Sequence, residues 1–142
     1  MKTLYSTKAT VVGGRMGSAK LNDSDLEIKM GAPGTGGAPG TGKGNNPEQL
    51  FAMGYGACFD SALGVVKQMQ GVKFDSTTEV NVDLLQSDNH DYNLAVTLHV
   101  IASNTDLSAE DVQKAVEKAH EVCPYSKATR GNIEVKVTSE VK

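Results

Sequence analysis

Two cysteines, Cys58 and Cys123, are the residues of this chain with the widest choice of chemistry. Both fall on the apolar sides of predicted helices, and free cysteine is often buried, so one interpretation makes them small core residues. The alternative is a redox pair, in which one thiolate reacts and the second thiol attacks the resulting sulfenic acid. That chemistry needs a cation near the reacting sulfur, and Arg15 and Arg130 are the candidates. The spacing of these residues leaves both interpretations open.

His120 adds two other possibilities. It lies three residues before Cys123, and together with Cys58 it could complete a three-ligand metal site, although the second closely spaced ligand pair typical of zinc sites is missing. Cys58 as nucleophile with His120 as base would instead indicate a hydrolase. A histidine at a helix end more often interacts with the helix dipole or with solvent.

The helix that carries Cys58 has a strong start signal at residues 46–49, Asn-Pro-Glu-Gln. This segment supplies a capping side chain, a proline for the first helical position, a carboxylate at the positive helix end and a glutamine for a capping box. The helix should run to about Met69. Its first half is apolar or small nearly all round, which predicts a central, buried helix.

Strands are predicted where polar and apolar residues alternate, at 4–12, 26–30, 80–84, 92–100 and 133–137. A second helix begins at Ser108 with a pattern like a capping box and ends at Pro124. The order β-β-α-β-β-α-β indicates an α+β fold rather than a doubly wound parallel sheet. We expect one domain over residues 1–142, interrupted at 31–44 by a flexible Gly-rich loop.

That loop contains the pattern Gly37-x-x-x-x-Gly42-Lys43, which approaches a phosphate-binding motif. Gly44 follows, where the motif needs Ser or Thr to hold magnesium, so a surface loop is the better interpretation. The formal net charge of −3 disfavours nucleic-acid binding. The longest apolar-rich stretch, 50–59, is too short to cross a membrane, and the start of the chain lacks a signal peptide. We expect a cytoplasmic protein.

Two long motifs and one turn resemble organic hydroperoxide resistance (Ohr) proteins of the OsmC family. Residues 46–59, NPEQLFAMGYGACF, closely resemble their first cysteine motif, and residues 119–132, AHEVCPYSKATRGN, resemble the second. The turn at 13–17, GGRMG, resembles the segment that carries their active-site arginine. Length and element order also match along the whole chain.

The resemblance implies the α+β OsmC-like fold, with antiparallel sheets packed on a long central helix. It also implies an intertwined homodimer with two active sites near the subunit interface. The long helix with its nearly all-apolar first half is a separate reason to expect a dimer, because a chain of 142 residues would have difficulty covering it alone.

The activity implied by the resemblance is that of a thiol peroxidase acting on organic hydroperoxides. Cys58 would attack the distal peroxide oxygen and become a sulfenic acid, with which Cys123 would condense to a disulfide. Arg15 would stabilise the Cys58 thiolate, and Glu48 would orient Arg15. A dithiol, in this family the dihydrolipoyl group of a lipoylated protein, would restore both thiols. No metal, haem or flavin is required.

An apolar pocket beside Cys58 would favour organic hydroperoxides over hydrogen peroxide, since each buried CH₂ group contributes about 0.8 kcal/mol. Four residues are available to line it: Phe51, Met53, Tyr55 and Met69. Glu48 precedes Cys58 by ten residues, which is about 15 Å along a straight helix. The helix must therefore bend, or Arg15 must bridge the two residues, or Glu48 must serve the partner's site.

Overall fold

The structure, a computed structural model, describes residues 1–34 and 44–142. Its packing divides the chain into two units, Met1–Leu50 and Phe51–Lys142, which we take in turn. Most of the predicted Gly-rich loop, including the Gly37 to Lys43 pattern, lies outside the described residues. The single domain predicted for residues 1–142 stays a prediction.

The first unit contains an antiparallel sheet in the order β1-β2-β3. Its strands are β1 (Ala9–Val12), β2 (Ser18–Leu21) and β3 (Glu27–Lys29), with a 3₁₀ turn at Gly14–Met16. The turn joins β1 to β2 and depends on glycine at two places. Gly13 adopts a left-handed φ of 73°. A Cβ atom at Gly17 would lie 1.7 Å from the carbonyl oxygen of Val12, so no other residue fits there.

The sequence predicted the first strand from residue 4, whereas β1 begins at Ala9. Residues 26–30 were correctly predicted to contain a strand. β2 was missed, because Ser-Ala-Lys-Leu is short and has no run of alternating large apolar residues.

The long helix α1 (Pro47–Gln70) begins as predicted. The Asn46 backbone N–H donates to Gln49 Oε1 at 2.9 Å, and the Gln49 N–H donates to Asn46 Oδ1 at 2.9 Å. This reciprocal pair is a capping box. One side of the helix is buried, through Tyr55, Phe59, Ala62, Leu63 and Val66. The other sides of α1 are not buried within a single chain, since Val65 is 53% and Met69 74% exposed.

The second unit adds β4 (Asp75–Gln86), β5 (Tyr92–Ser103), α2 (Ala109–Val122), α3 (Pro124–Thr129) and β6 (Glu134–Val141). β4 and β5 form an antiparallel hairpin, but β6 pairs with β5 in parallel, from Ala95↔Glu134 to Ala102↔Val141. The prediction of antiparallel sheets is therefore wrong for this strand. The chain leaves β5, crosses over through α2 and α3, and returns in the same direction, which is how parallel neighbours are connected.

The core of the second unit lies on one face of this sheet. Alternate residues of β5 are buried, and they join the buried sides of α1 and α2 in one hydrophobic cluster. The β5 members are Val96, Leu98, Val100 and Ala102, and the α2 members are Val112, Ala115, Val116 and Ala119. Cys123 belongs to the same cluster and Cys58 packs against it. Among the described residues, no helix is long and apolar enough to span a bilayer.

The junction between α2 and α3 is a single residue, Cys123, which ends the first helix and precedes the second. Ser108 caps the start of α2 as predicted, accepting from the Asp111 N–H at 3.1 Å. Pro124 ends α2 as predicted, but it also occupies the first position of α3, a helix that was not predicted from the sequence. Proline suits that position because the N–H it lacks would have no helical partner.

Candidate active site

The two thiols meet although they are far apart in sequence. Cys58 lies in the middle of α1 and is half-buried, while Cys123, at the α2–α3 junction, is buried. Their Sγ atoms are 3.7 Å apart, and both cysteines are free. A disulfide requires a separation of about 2.05 Å, so the sulfurs need to approach by about 1.7 Å. This spacing allows a disulfide to form and break without refolding.

The surroundings of Cys58 disfavour its charged form. Burial raises the pKa of the Cys58 thiol, and the adjacent Cys123 raises it further, whereas the backbone N–H of Tyr125 lowers it. Tyr125 is the second residue of α3, so this N–H is one of those left without a partner inside that helix. The net direction is upward, so a reactive thiolate here requires a positive charge from elsewhere.

Arg15 and Glu48 form a bidentate ion pair. Arg15 Nη1 donates to Glu48 Oε2 at 2.7 Å, and Nη2 donates to Oε1 at 2.5 Å. The side chain of Glu48 is 13% exposed and that of Arg15 is 40% exposed. The bonds from Arg15 lower the pKa of Glu48, and the bonds to Glu48 raise the pKa of Arg15. The glycine turn after β1 presents Arg15, and the first turn of α1 presents Glu48.

Arg130, the other candidate cation, has a different partner. Its Nη2 donates to the backbone carbonyl of His120 at 2.7 Å, near the end of α2. His120 Nδ1 forms a hydrogen bond of 2.8 Å with Ser126 Oγ. Burial lowers the pKa of His120, and the charge of Arg130 lowers it further. Within residues 1–34 and 44–142, no three His, Cys, Asp or Glu side chains are grouped to hold a metal ion.

Two predicted pocket residues, Phe51 and Tyr55, form an aromatic cluster with Tyr125. The ring centroids are 5.7 Å apart for Phe51–Tyr55, 6.3 Å for Phe51–Tyr125 and 5.7 Å for Tyr55–Tyr125. Gly54 permits this approach, since a Cβ atom there would lie 3.3 Å from the Tyr125 hydroxyl. Phe51, Tyr55 and Cys58 follow one another at helical spacing, so the cluster covers the side of α1 that leads to the thiol.

The two methionines of the predicted pocket, Met53 and Met69, are not part of this aromatic cluster. Met53 is 62% exposed and lines an open groove of about 340 Å³. The groove is completed by α1 residues Ala52, Gly56 and Ala57 and by β4 residues Thr78 and Val80. Met69 is 74% exposed and follows Cys58 by eleven residues, about 16 Å along the helix. The structure of the single chain does not bring Met69 to the thiols.

Sequence reasoning missed a polar network buried beside the cysteines. The Tyr55 hydroxyl donates to Ser126 Oγ at 3.0 Å and lies 3.1 Å from Thr129 Oγ1. Ser126 also contacts His120, and Tyr55 and Ser126 are both fully buried. Apolar periodicity cannot reveal such a network, because it counts Ser and Thr as surface residues. The available signal was the run of polar residues directly after Cys123 and Pro124.

The family model described as OsmC-like protein matches residues 40–138 of the chain. The organic hydroperoxide resistance protein OhrA of Bacillus subtilis is 46% identical over 133 residues, 93% of each chain. This chain belongs to the OsmC/Ohr family. Two crystal structures of Ohr proteins share the fold. The one from Legionella pneumophila has a TM-score of 0.88 and 40% identity, over 99% of this chain and 100% of that one.

The second Ohr structure, from Vibrio cholerae, has captopril bound in one of its active sites. It has a TM-score of 0.86 and 37% identity, over 98% of this chain and 94% of that one. These likenesses confirm the predicted α+β OsmC-like fold and the resemblance to Ohr proteins. The relatives carry names that ascribe to them resistance to organic hydroperoxides.

Proposed function

We propose that this protein is a thiol-dependent peroxidase that reduces organic hydroperoxides to alcohols. The observation that carries the proposal is the 3.7 Å separation of the Cys58 and Cys123 sulfurs, both reduced, beside an aromatic cluster. Membership of the OsmC/Ohr family supports the substrate class, because the relatives are named for resistance to these compounds.

The electron transfer of this reaction takes place among these two thiols, the hydroperoxide and an external dithiol. The Cys58 thiolate attacks the distal oxygen of the hydroperoxide, so that a sulfur–oxygen bond forms and the oxygen–oxygen bond breaks. The alkoxide takes a proton and leaves as an alcohol, and Cys58 is left as a sulfenic acid. The Cys123 sulfur then attacks the Cys58 sulfur, a disulfide forms, and the oxygen leaves as water. A dithiol reduces the disulfide by exchange and is itself oxidised to a disulfide.

We assign the reductant to the dihydrolipoyl class, a dithiol carried on a lipoylated protein. A dithiol suits this step because its first sulfur forms a mixed disulfide with the enzyme and its second releases that bond within the same molecule. No bound metal or organic cofactor enters the scheme.

Arg15 supplies the positive charge that the scheme requires. Burial raises the pKa of Cys58, so the thiolate forms in useful amounts only with a compensating cation. Glu48 occupies Nη1 and Nη2 of Arg15 with one hydrogen bond each, and a guanidinium has five N–H donors, so others remain for a thiolate and a peroxide oxygen. The arginine acts either on Cys58 of its own chain or on that of a partner subunit.

We further propose a homodimer. The exposed surface of α1 includes large apolar side chains, among them Met53, Val65 and Met69. Val11 and Val12 of β1 are also exposed. Exposed apolar side chains mark protein–protein contacts where they form a contiguous patch. The Vibrio cholerae relative has captopril in one of its active sites, which implies that its assembly holds more than one.

Selectivity for organic over hydrogen peroxide follows from the aromatic cluster of Phe51, Tyr55 and Tyr125. Tyr125 is 40% exposed, so this apolar surface is open to solvent on one side and can receive an alkyl group. Each CH₂ group buried there contributes about 0.8 kcal/mol, and hydrogen peroxide has none to bury.

The test is consumption of cumene hydroperoxide with dihydrolipoamide as the only reductant, followed by mass spectrometry of two variants after one equivalent of peroxide. Cys58→Ser should lose the reaction entirely. Cys123→Ser should gain one oxygen on Cys58 and then over-oxidise, because no disulfide can form. Oxygen on Cys123 in the first variant, with Cys58 still reduced in the second, would reverse the assigned roles. A wild-type protein that oxidises once but never turns over with a dithiol would be a sensor rather than a peroxidase.

A further inference from the structure

The proposed reaction depends on a step that the chain must organise by itself, which is the condensation of Cys123 with the Cys58 sulfenic acid. We propose that Ser126, which is hydrogen-bonded to both Tyr55 and His120, is a positioning residue for this step. It fixes the α2–α3 junction against α1, so that the Cys123 sulfur stays within reach of Cys58. The inference rests on the proposed peroxidase function.

The placement of the hydrogen bond is the first argument. Tyr55 precedes Cys58 by three residues on α1, and Ser126 follows Cys123 by three residues. The Tyr55–Ser126 bond of 3.0 Å and the cysteine pair at 3.7 Å therefore join the same two parts of the chain, one helical turn apart. Any shift of α3 along or away from α1 changes both distances together.

The junction depends on the contacts that α3 makes with its neighbours, which are the Tyr125 ring packing, the Thr129 hydroxyl and the Ser126 hydroxyl. Cys123 is the one residue between α2 and α3, and α3 is a helix of six residues, too short to be stable by itself. The side chain of Cys123 makes no capping bond to α3. The position of its sulfur therefore depends on what anchors α3, and fully buried Ser126 is the residue of α3 that reaches both α1 and α2.

The hydrogen bonds give Ser126 a defined role. Thr129 Oγ1 donates to the carbonyl oxygens of Tyr125 and Ser126, each at 3.1 Å, so it can only accept from Tyr55. The single proton of Tyr55 is directed to Ser126 and Thr129, which leaves the Ser126 proton for His120 Nδ1 at 2.8 Å. This assignment of the hydrogen bonds corresponds to neutral His120 with its proton on Nε2. Among the described residues, no buried side-chain N or O atom is left without a partner.

Orientation of this kind acts on the rate of the intramolecular step. Disulfide formation needs an approach of about 1.7 Å, which side-chain rotation can supply if the two backbones stay in place. If α3 moves freely, the thiol spends less time in a reactive geometry, and reactions between held groups lose rate steeply with misplacement. The attack of Cys58 on peroxide forms no bond with Cys123, although Cys123 raises the pKa of the Cys58 thiol.

The experiment separates the two steps in Ser126→Ala. Single-turnover quenching with mass spectrometry gives the rate of Cys58 oxidation and the rate of disulfide formation. We expect the first to stay within about threefold of wild type and the second to fall at least about tenfold. Dimedone should then trap the Cys58 sulfenic acid, and over-oxidation per turnover should rise by the same factor.

Two further variants control the result. Thr138→Ala removes a hydroxyl–histidine hydrogen bond of the same 2.8 Å length, to His99, at an exposed place on the sheet, and should leave both rates unchanged. Tyr55→Phe keeps the ring and removes the hydroxyl, and should shift the ratio of the two rates in the same direction as Ser126→Ala. In a Cys123→Ser background, Ser126→Ala should not change the rate at which an added small thiol attacks the sulfenic acid.

The outcomes that contradict the proposal are distinct from those that contradict the function. A folded Ser126→Ala protein with wild-type disulfide formation, or with both rates lowered in proportion, overturns the positioning role. If Ser126→Ala does not fold, Tyr55→Phe decides alone, and loss of folding in both shows that the hydroxyls serve the fold instead. If wild-type Cys58 is not oxidised by peroxide, the proposed function itself is wrong.

Discussion

Replacing Glu48 by glutamine tests the assignment of Arg15 most directly, because it removes one charge and little volume. The two hydrogen bonds at 2.7 and 2.5 Å would be strong in a buried site, where bonds to charged groups contribute about 1.5–3 kcal/mol each. Arg15 is 40% exposed, and solvent screening reduces the pair to about 1 kcal/mol. If that energy holds the guanidinium in its working orientation, Glu48→Gln should slow peroxide reduction about fivefold.

The assay is the second-order rate constant for single-turnover oxidation of Cys58 by cumene hydroperoxide, which excludes the resolving step and the reductant. Glu110→Gln is the matched control, because Glu110 also accepts a bond from a cation, Lys114, at 2.8 Å, but on the exposed side of α2. It should leave the rate unchanged. A Glu48→Gln rate equal to wild type, with Arg15→Ala strongly impaired, would refute the reasoning that the carboxylate orients the arginine.

The dependence of this pair on pH has a definite sign. Arg15 lowers the pKa of Glu48, so the carboxylate binds its proton less readily in the folded protein than in the unfolded chain. The stabilisation by the pair is therefore fully present above the unfolded pKa of about 4.3, and is lost as the pH falls through the lower folded value. Between pH 5 and 8 the ratio of wild-type to Glu48→Gln rates should be constant. A ratio that changes within this range would point to a different titrating group.

Three further predictions concern the arginine, its turn and the assembly. Arg15→Ala should raise the pKa of Cys58, read from thiolate absorbance, and slow peroxide reduction more than Glu48→Gln does; activity within a few-fold of wild type would direct attention to Arg130. Gly17→Ala should displace Arg15, because a Cβ atom there would lie 1.7 Å from the Val12 carbonyl oxygen, and its peroxide rate should fall towards that of Arg15→Ala. The protein should be a dimer by light scattering at micromolar concentration, and a monomeric mass would contradict this.

Local signals in the sequence were sufficient for the elements that carry the site. The capping box at Asn46 and Gln49 and the cap at Ser108 are confirmed, because they involve residues three positions apart. β6 was placed correctly, but its direction was not, since pairing direction depends on how the whole connection crosses the sheet. α3 was missed because a proline that ends one helix can also begin the next.

The geometry between distant residues could not be derived from the sequence. Cys58 and Cys123 are 65 positions apart, and their 3.7 Å separation results from packing of α1 and the α2–α3 junction against one core. The contact of Arg15 with Glu48, 33 positions away, was expected only through the family resemblance. The network of Tyr55 and Ser126 was not expected at all, because its hydroxyl groups are satisfied inside the protein rather than by water.

The aromatic surroundings of Cys58 create a conflict that the chain must resolve elsewhere. The apolar surface of Phe51, Tyr55 and Tyr125 suits an alkyl hydroperoxide, but the burial of Cys58 raises its pKa and lowers the fraction of reactive thiolate. The Tyr125 N–H opposes this shift without reversing it. In the proposed scheme, substrate preference and thiol reactivity are therefore set by different parts of the molecule, the first by α1 and α3 and the second by the cation that Glu48 would orient. It follows that variants at Arg15 should lower the rates for all hydroperoxides in proportion, whereas variants at Phe51 should change the ratio between large and small ones.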